Sequence, residues 1–123
     1  MKNREIIEHI NALGNFTKDK LPTKLSFAVV KNFNKLKSVY KDYDESRALL
    51  VEKYAEKDDK GETVRNENGT ETFKEECLLD WNKEVNELLD IDVEFDIHSV
   101  DFVIIENLQM SVIDIEAIEF MIN

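Results

Sequence analysis

"TKLSFAVVKNFNKLKSVYKDYDESRALLVEKYAE", residues 23 to 56, runs for 34 positions without a glycine or a proline. Within it Val29, Phe33, Leu36, Tyr40, Tyr43, Arg47, Leu50 and Tyr54 alternate in steps of four and three. That spacing is the heptad seam of a helix packed along its length against another element. A helix of this size spans on the order of 50 Å, so something long must lie beside it. The only partner of suitable length is residues 73–89, where Leu78, Trp81, Val85 and Leu88 repeat the seam and Thr72 with Glu75 has the form of a capping box. The two stretches predict an antiparallel helical hairpin.

Working outward, Pro22 suits the start of the long helix because its missing N–H has no helical partner there. Residues 16–21 form a connection from a short amphipathic helix over 4–13, in which Ile6, Ile7, Ile10 and Leu13 make one stripe and Gly14-Asn15 supplies the stop. At the head of the long helix Leu25, Phe27, Ala28, Val29, Val30 and Phe33 point nearly all round the axis, which predicts burial on every side. The far end leads into "KDDKGETVRNENGTETF", where 63–65 and 70–72 either pair as a β-ribbon around "NENG" or form a disordered tip.

Beyond the hairpin, Asp90, Asp92, Glu94, Asp96 and His98 alternate with Ile91, Val93, Phe95 and Ile97, the period of a half-buried strand. "VDFVII", residues 100–105, is β-branched enough for a second strand or the continuation of one bent strand. Ser111 with Asp114 resembles a helix N-cap, and Ile115, Ile118 and Ile122 favour a short terminal helix. The expected class is therefore α+β and mostly α: a long antiparallel helical hairpin, a small β element and short flanking helices, in one domain over residues 1–123.

Composition narrows function. The 42% hydrophobic content and eleven aromatics suffice for a core, and no long apolar run fits a membrane span or a secretory signal. A cytoplasmic protein is expected. Cys77 is the only cysteine, which excludes an internal disulfide and a thiolate zinc cage and suggests a buried structural thiol. The net charge of −11 conceals a gradient: residues 1–41 hold nine Lys or Arg against three acids, and after Lys83 eleven acids follow with no base. Such a chain is a poor ligand for nucleic acid, which demands cations that displace phosphate counterions.

No catalytic, cofactor or metal site emerges. Cys77, His98 and Asp96 contain the residue types of a nucleophilic triad, but no nucleophile elbow, phosphate loop or HExxH accompanies them, so no enzyme is expected. His9 falls on the polar side of its helix as a surface residue. The acidic row reads as the wet side of an edge strand, as a docking face for a basic partner through Asp92, Glu94 and Asp96, or as a cation site that lacks the calcium-loop glycine. Lys24, Lys31 and Lys35 share one side of the long helix, opposite the seam, and read as a solvated face or as a docking stripe for an acidic surface. Because the chain carries both patches, head-to-tail self-association is one consequence. Tyr40 and Tyr43 read as core or as interface where the shorter partner helix leaves the seam uncovered.

The phrases "LPTKLSFAVVKN" (21–32), "LLVEKYAEKDDKGETV" (49–64) and "DIEAIEFMI" (114–122) together resemble an uncharacterised family of small bacteriophage and prophage proteins. The resemblance spans roughly Leu21 to the C-terminus. It implies a phage origin, residence in the host cytoplasm or on the virion, and a helical-hairpin domain, with no catalytic residues to carry over. The expected function is non-enzymatic, through protein–protein contact as an oligomeric virion accessory or assembly factor, with the partner either another protein or the chain itself. The alternative is an inhibitor of a host defence system, acting by acidic nucleic-acid mimicry or by sequestering an anionic nucleotide signal.

Overall fold

In a computed structural model, which describes residues 1–16 and 20–123, the chain forms helices α1 (Asn3–Gly14), α2 (Thr23–Tyr54), α3 (Glu75–Leu89) and α4 (Val112–Ile118). Residues 17–19 of the expected connection lie outside the described residues. The α2 helix begins where the Pro22 carbonyl accepts the amides of Leu25 and Ser26, both at 3.0 Å, and ends where Ala55 turns extended. Its 32 residues span about 48 Å. Lys53 pairs with Glu84 at 3.4 Å, and Ser46 and Leu50 share a hollow with Leu88, so α3 runs antiparallel to α2.

The seam is divided between two cores. Around the Pro22 end, Leu25, Ala28, Val29 and Leu36 of α2 are buried with Ile6 and Leu13 of α1 and with Ala117, Ile118 and Met121 of the C-terminus. Each fully buried aliphatic side chain contributes roughly 1.5–3 kcal/mol. At the far end a smaller cluster joins Val51, Ala55 and Trp81, with Phe73 stacked on the indole at 4.3 Å between centroids. Arg47 lies 5.5 Å from the Trp81 ring and grips both Glu71 carboxylate oxygens at 3.2 Å.

The expected β element is absent: the described residues contain no strand and no sheet, only isolated bridges, and the class is all-α. Residues 92–97 do alternate, with 92, 94 and 96 exposed and 93, 95 and 97 half-buried against the first core. Beside them only residues 1–3 pair, with Val93 donating its amide to the Met1 carbonyl at 2.8 Å and Asp92 bridged to Lys2, and no strand continues past Val93 among the described residues. Instead the fully buried side chain of Asn32 on α2 accepts the His98 amide at 2.8 Å and donates to the His98 carbonyl at 2.9 Å. A helix side chain thus supplies the two bonds that a neighbouring strand would have made. Over 100–105, the Asp101 carboxylate accepts the Val103 amide and curls Phe102–Ile104 into a 3-10 turn, leaving Val100 one parallel bridge to Ile122.

The 55–74 connection is ordered by single bridges, Ala55 with Phe73, Lys57 with Thr63 and Arg65 with Glu71. Gly61 and Gly69 turn it, each at φ +79, where a side chain would be strained. Three local expectations also change. The N-cap of α3 is Lys74, because the Thr72 hydroxyl is engaged with Glu56 at 3.1 Å. Leu78 is 41% exposed and leaves the seam to Trp81, Val85 and Leu88. The head of α2 is covered on one side only, so Phe27 and Val30 stand 55% and 47% exposed. The Ser111 hydroxyl does cap α4, accepting the Asp114 amide at 3.1 Å.

Candidate docking surface along helix α2

The second helix is less than half the length of the first, and the crevice between them stays open. Two adjoining hollows of about 350 and 500 Å³ share Ser46, Leu88 and Ile91. Val39, Tyr43 and Val93 line one end, and Leu49 and Leu50 the other. Leu49 is 72% exposed and Ile91 50% exposed, so the floor is apolar and wet. Every charged residue in the lining is an acid: Asp42 and Glu94 at one end, Glu84 and Glu87 at the other.

Its wall is fixed from α1. Asn3 donates its side-chain amide to the Leu88 carbonyl at 2.8 Å and its backbone amide to the Ile91 carbonyl at 3.1 Å. Arg4 reaches Asp90 at 2.8 Å and Lys2 comes within 4.0 Å of it, so cations meet the carbonyl end of α3 where its dipole is negative. Arg4 holds the Asp90 carboxyl below its usual range. An apolar channel between two helices with an anionic rim fits helix-in-groove recognition of a cationic amphipathic segment.

The residues singled out in the sequence divide between this groove and the neighbouring face of α2. Tyr43 is buried in the groove wall, where desolvation raises its pKa, and Tyr40 is half-buried beside it at 5.6 Å between rings. Glu94 lies on the rim and Asp92 is exposed next to it, bridged to Lys2 through the backbone. Asp96 is drawn to Lys35, whose ammonium donates to the Asp96 carbonyl at 2.9 Å and stands 3.9 Å from its carboxylate. Two patches that the sequence offered to outside partners therefore meet within the chain at this point.

Lys31 sits over the Phe27 ring at 5.7 Å, and Phe27 meets His98 edge-on at 5.5 Å. Lys24 lines a separate cleft of about 510 Å³ with Phe27, His98 and Asp101. His98 is thus held at the head of α2, whereas Cys77, half-buried, lies in the first turn of α3 at the other end of the hairpin, and the two are not brought together. His9 is stacked on Phe120 at 4.1 Å rather than free on the surface, and burial lowers its pKa against the pull of Glu5 and Glu8. No cluster of His, Cys, Asp and Glu suited to a metal ion occurs among the described residues.

Sequence reasoning missed Asn32, Leu49 and Ile91. Leu49 carries a signal, since it is apolar and lies off the seam. Asn32 carries none beyond being polar in an apolar run. No helix among the described residues is long and apolar enough to cross a membrane. Compared with known proteins, the chain matches no family model, no curated protein and no solved structure.

Proposed function

We propose that this chain is a non-enzymatic protein that works by contact with other proteins, as an accessory or assembly factor of a phage particle, and that the α2–α3 groove is a working surface. One observation carries the reading: a groove with Leu49 and Ile91 exposed on its floor has only carboxylates among its charged lining. The apolar floor supplies affinity by desolvation, and the rim selects a cationic partner and accelerates its approach. Phe102, Val103, Val112 and Ile113, each between 51% and 75% exposed, add apolar side chains to the acid-only part of the chain. The phage context rests on the sequence resemblance. Nucleic-acid mimicry by the acidic row has weaker support, because Asp90 and Asp96 are engaged by Arg4 and Lys35.

A fluorescent synthetic helix with leucines on one face and lysines on the other tests the groove by anisotropy titration. Binding is expected to weaken with salt and to fall about tenfold in Ile91→Ser, with Leu79→Ser on the exposed back of α3 as the silent control. Equal binding of a matched leucine–glutamate helix, or an unaffected Ile91→Ser chain, refutes the reading.

A further inference from the structure

Beside the groove, with which it shares Leu49 and Asp42, the outer face of α2 carries a further pattern. Lys24, Phe27, Lys31, Ser38, Glu45, Leu49 and Glu52 are all exposed and recur in near-heptad steps, so they form one stripe along the helix. Its chemistry is palindromic about Ser38. Lys31 and Glu45 lie seven positions to either side, Phe27 and Leu49 eleven, and Lys24 and Glu52 fourteen. Lys35 and Asp42 follow nearly the same rule, three and four positions away. The midpoint of Thr23–Tyr54 falls between Ser38 and Val39, so two copies of α2 laid antiparallel about this point overlap over their whole length.

We infer that the occupant of this face is a second copy of the chain, packed antiparallel with a two-fold axis at Ser38. The inference rests on the reading that α2 is a docking surface, and it names the partner. In that arrangement each Lys31 meets the other copy's Glu45, each Lys24 meets Glu52, and each exposed phenyl ring of Phe27 is covered by Leu49. All contacts form twice, and the assembly closes on itself, unlike the open chain that head-to-tail contact generates. Among the described residues no ion pair within the chain engages Lys24, Lys31, Asp42 or Glu45. Glu52 holds Lys57 at 2.8 Å and Lys35 holds Asp96, so those two share their charge with an internal partner. Lys53, the cation nearest the incoming Lys24, is turned to Glu84.

Analytical ultracentrifugation of the whole chain, with a charge swap, tests this. The native chain is expected to be a dimer at tens of micromolar and to loosen in high salt. Lys31→Glu sets two acids against two acids and is expected to raise the dimer Kd on the order of tenfold or more, while Lys31→Glu/Glu45→Lys restores it. Ser38→Cys in a Cys77→Ser background is expected to cross-link through a short bis-maleimide, and Ser26→Cys is not. A native chain that stays monomeric at about 200 µM, or a double variant no better than the single, overturns the pairing. If the cationic test helix still binds that monomer, the groove reading stands without the dimer; if neither is seen, both fall.

Discussion

Asn32→Leu is the sharpest test of how the chain is held together. The asparagine is completely buried, and its amide exchanges two hydrogen bonds of 2.8 and 2.9 Å with the backbone of His98, with the Met121 sulfur 3.5 Å from the same amide nitrogen. Leucine has the same branched skeleton but is larger, so the substitution leaves no cavity and adds some overpacking to the polar loss. It strands one amide and one carbonyl in a partly buried site, each costing about 1–3 kcal/mol, and recovers part of that by apolar burial. The expected net loss is about 2–4 kcal/mol, or roughly 10 °C in Tm for a chain of this size. Urea denaturation followed by far-UV circular dichroism measures it, with Asn34→Leu, two positions away and exposed, as the neutral comparison. Amide exchange at His98 must accelerate at the same time, because that N–H has lost its acceptor. A stability change below about 0.5 kcal/mol, with the His98 amide still protected, would refute the claim that a helix side chain replaces the missing strand.

Two further predictions concern the far end. Glu71, only 11% exposed and held by Arg47 and Arg65, has its carboxyl pKa lowered from 4.5 to about 2. A depressed folded-state pKa stabilises above the unfolded value and is lost as pH falls, so Glu71→Gln is expected to cost about 1–2 kcal/mol at pH 7, after discounting for the exposed arginines, and little near pH 2. Denaturation curves of the two chains that stay equally far apart at both pH values would contradict this. Trp81→Ala removes the ring against which Phe73 and Arg47 pack, and a loss of about 3–5 kcal/mol is expected, concentrated in residues 55–89. Amide exchange should show α3 opening while α1 stays protected; uniform loss would mean that the two cores act as one.

Much of α2 was legible because helical periodicity is a property of one segment. Val29, Leu36, Tyr43 and Val51 are buried at the seam spacing or one step from it, and no knowledge of their neighbours was needed to place them on one side. The acidic row was legible only to the same depth. Alternation at 92–97 reports that one side of an extended stretch is wet and the other is not, and the burial follows that pattern. It does not report what occupies the backbone hydrogen bonds. A sheet requires a second strand along the whole stretch, but residues 1–3 pair only with 91–93, and beyond them the chain offers Asn32 and Lys35 from a helix instead. The same limit explains Phe27 and Val30. An apolar residue on every side of a helix predicts burial only if enough other elements exist to surround it, and here α1 and the C-terminal residues cover one side.

The charge gradient shows the distinction between pattern and partner most clearly. Cations early in the chain and acids late suggest two ends free to attract other molecules, yet Arg4 engages Asp90, Lys35 engages Asp96 and Lys53 engages Glu84. Each of these pairs is at least partly exposed and worth at most about 1 kcal/mol, so together they guide the C-terminal half onto α2 more than they hold it there. The carboxylates after Lys83 that form ion pairs, Glu84, Asp90 and Asp96, do so with cations of the first 53 residues, so the gradient directs pairing between the halves. Beside the carboxylate rim of the groove, what remains for intermolecular use is the part of the gradient that α2 carries along its own outer face, Lys24 and Lys31 toward one end and Asp42 and Glu45 toward the other. A single straight helix keeps these charges in fixed register with one another, whereas the irregular segments that carry the C-terminal acids do not. The regularity of α2 therefore makes it the element on which a charge pattern can encode the orientation of a partner.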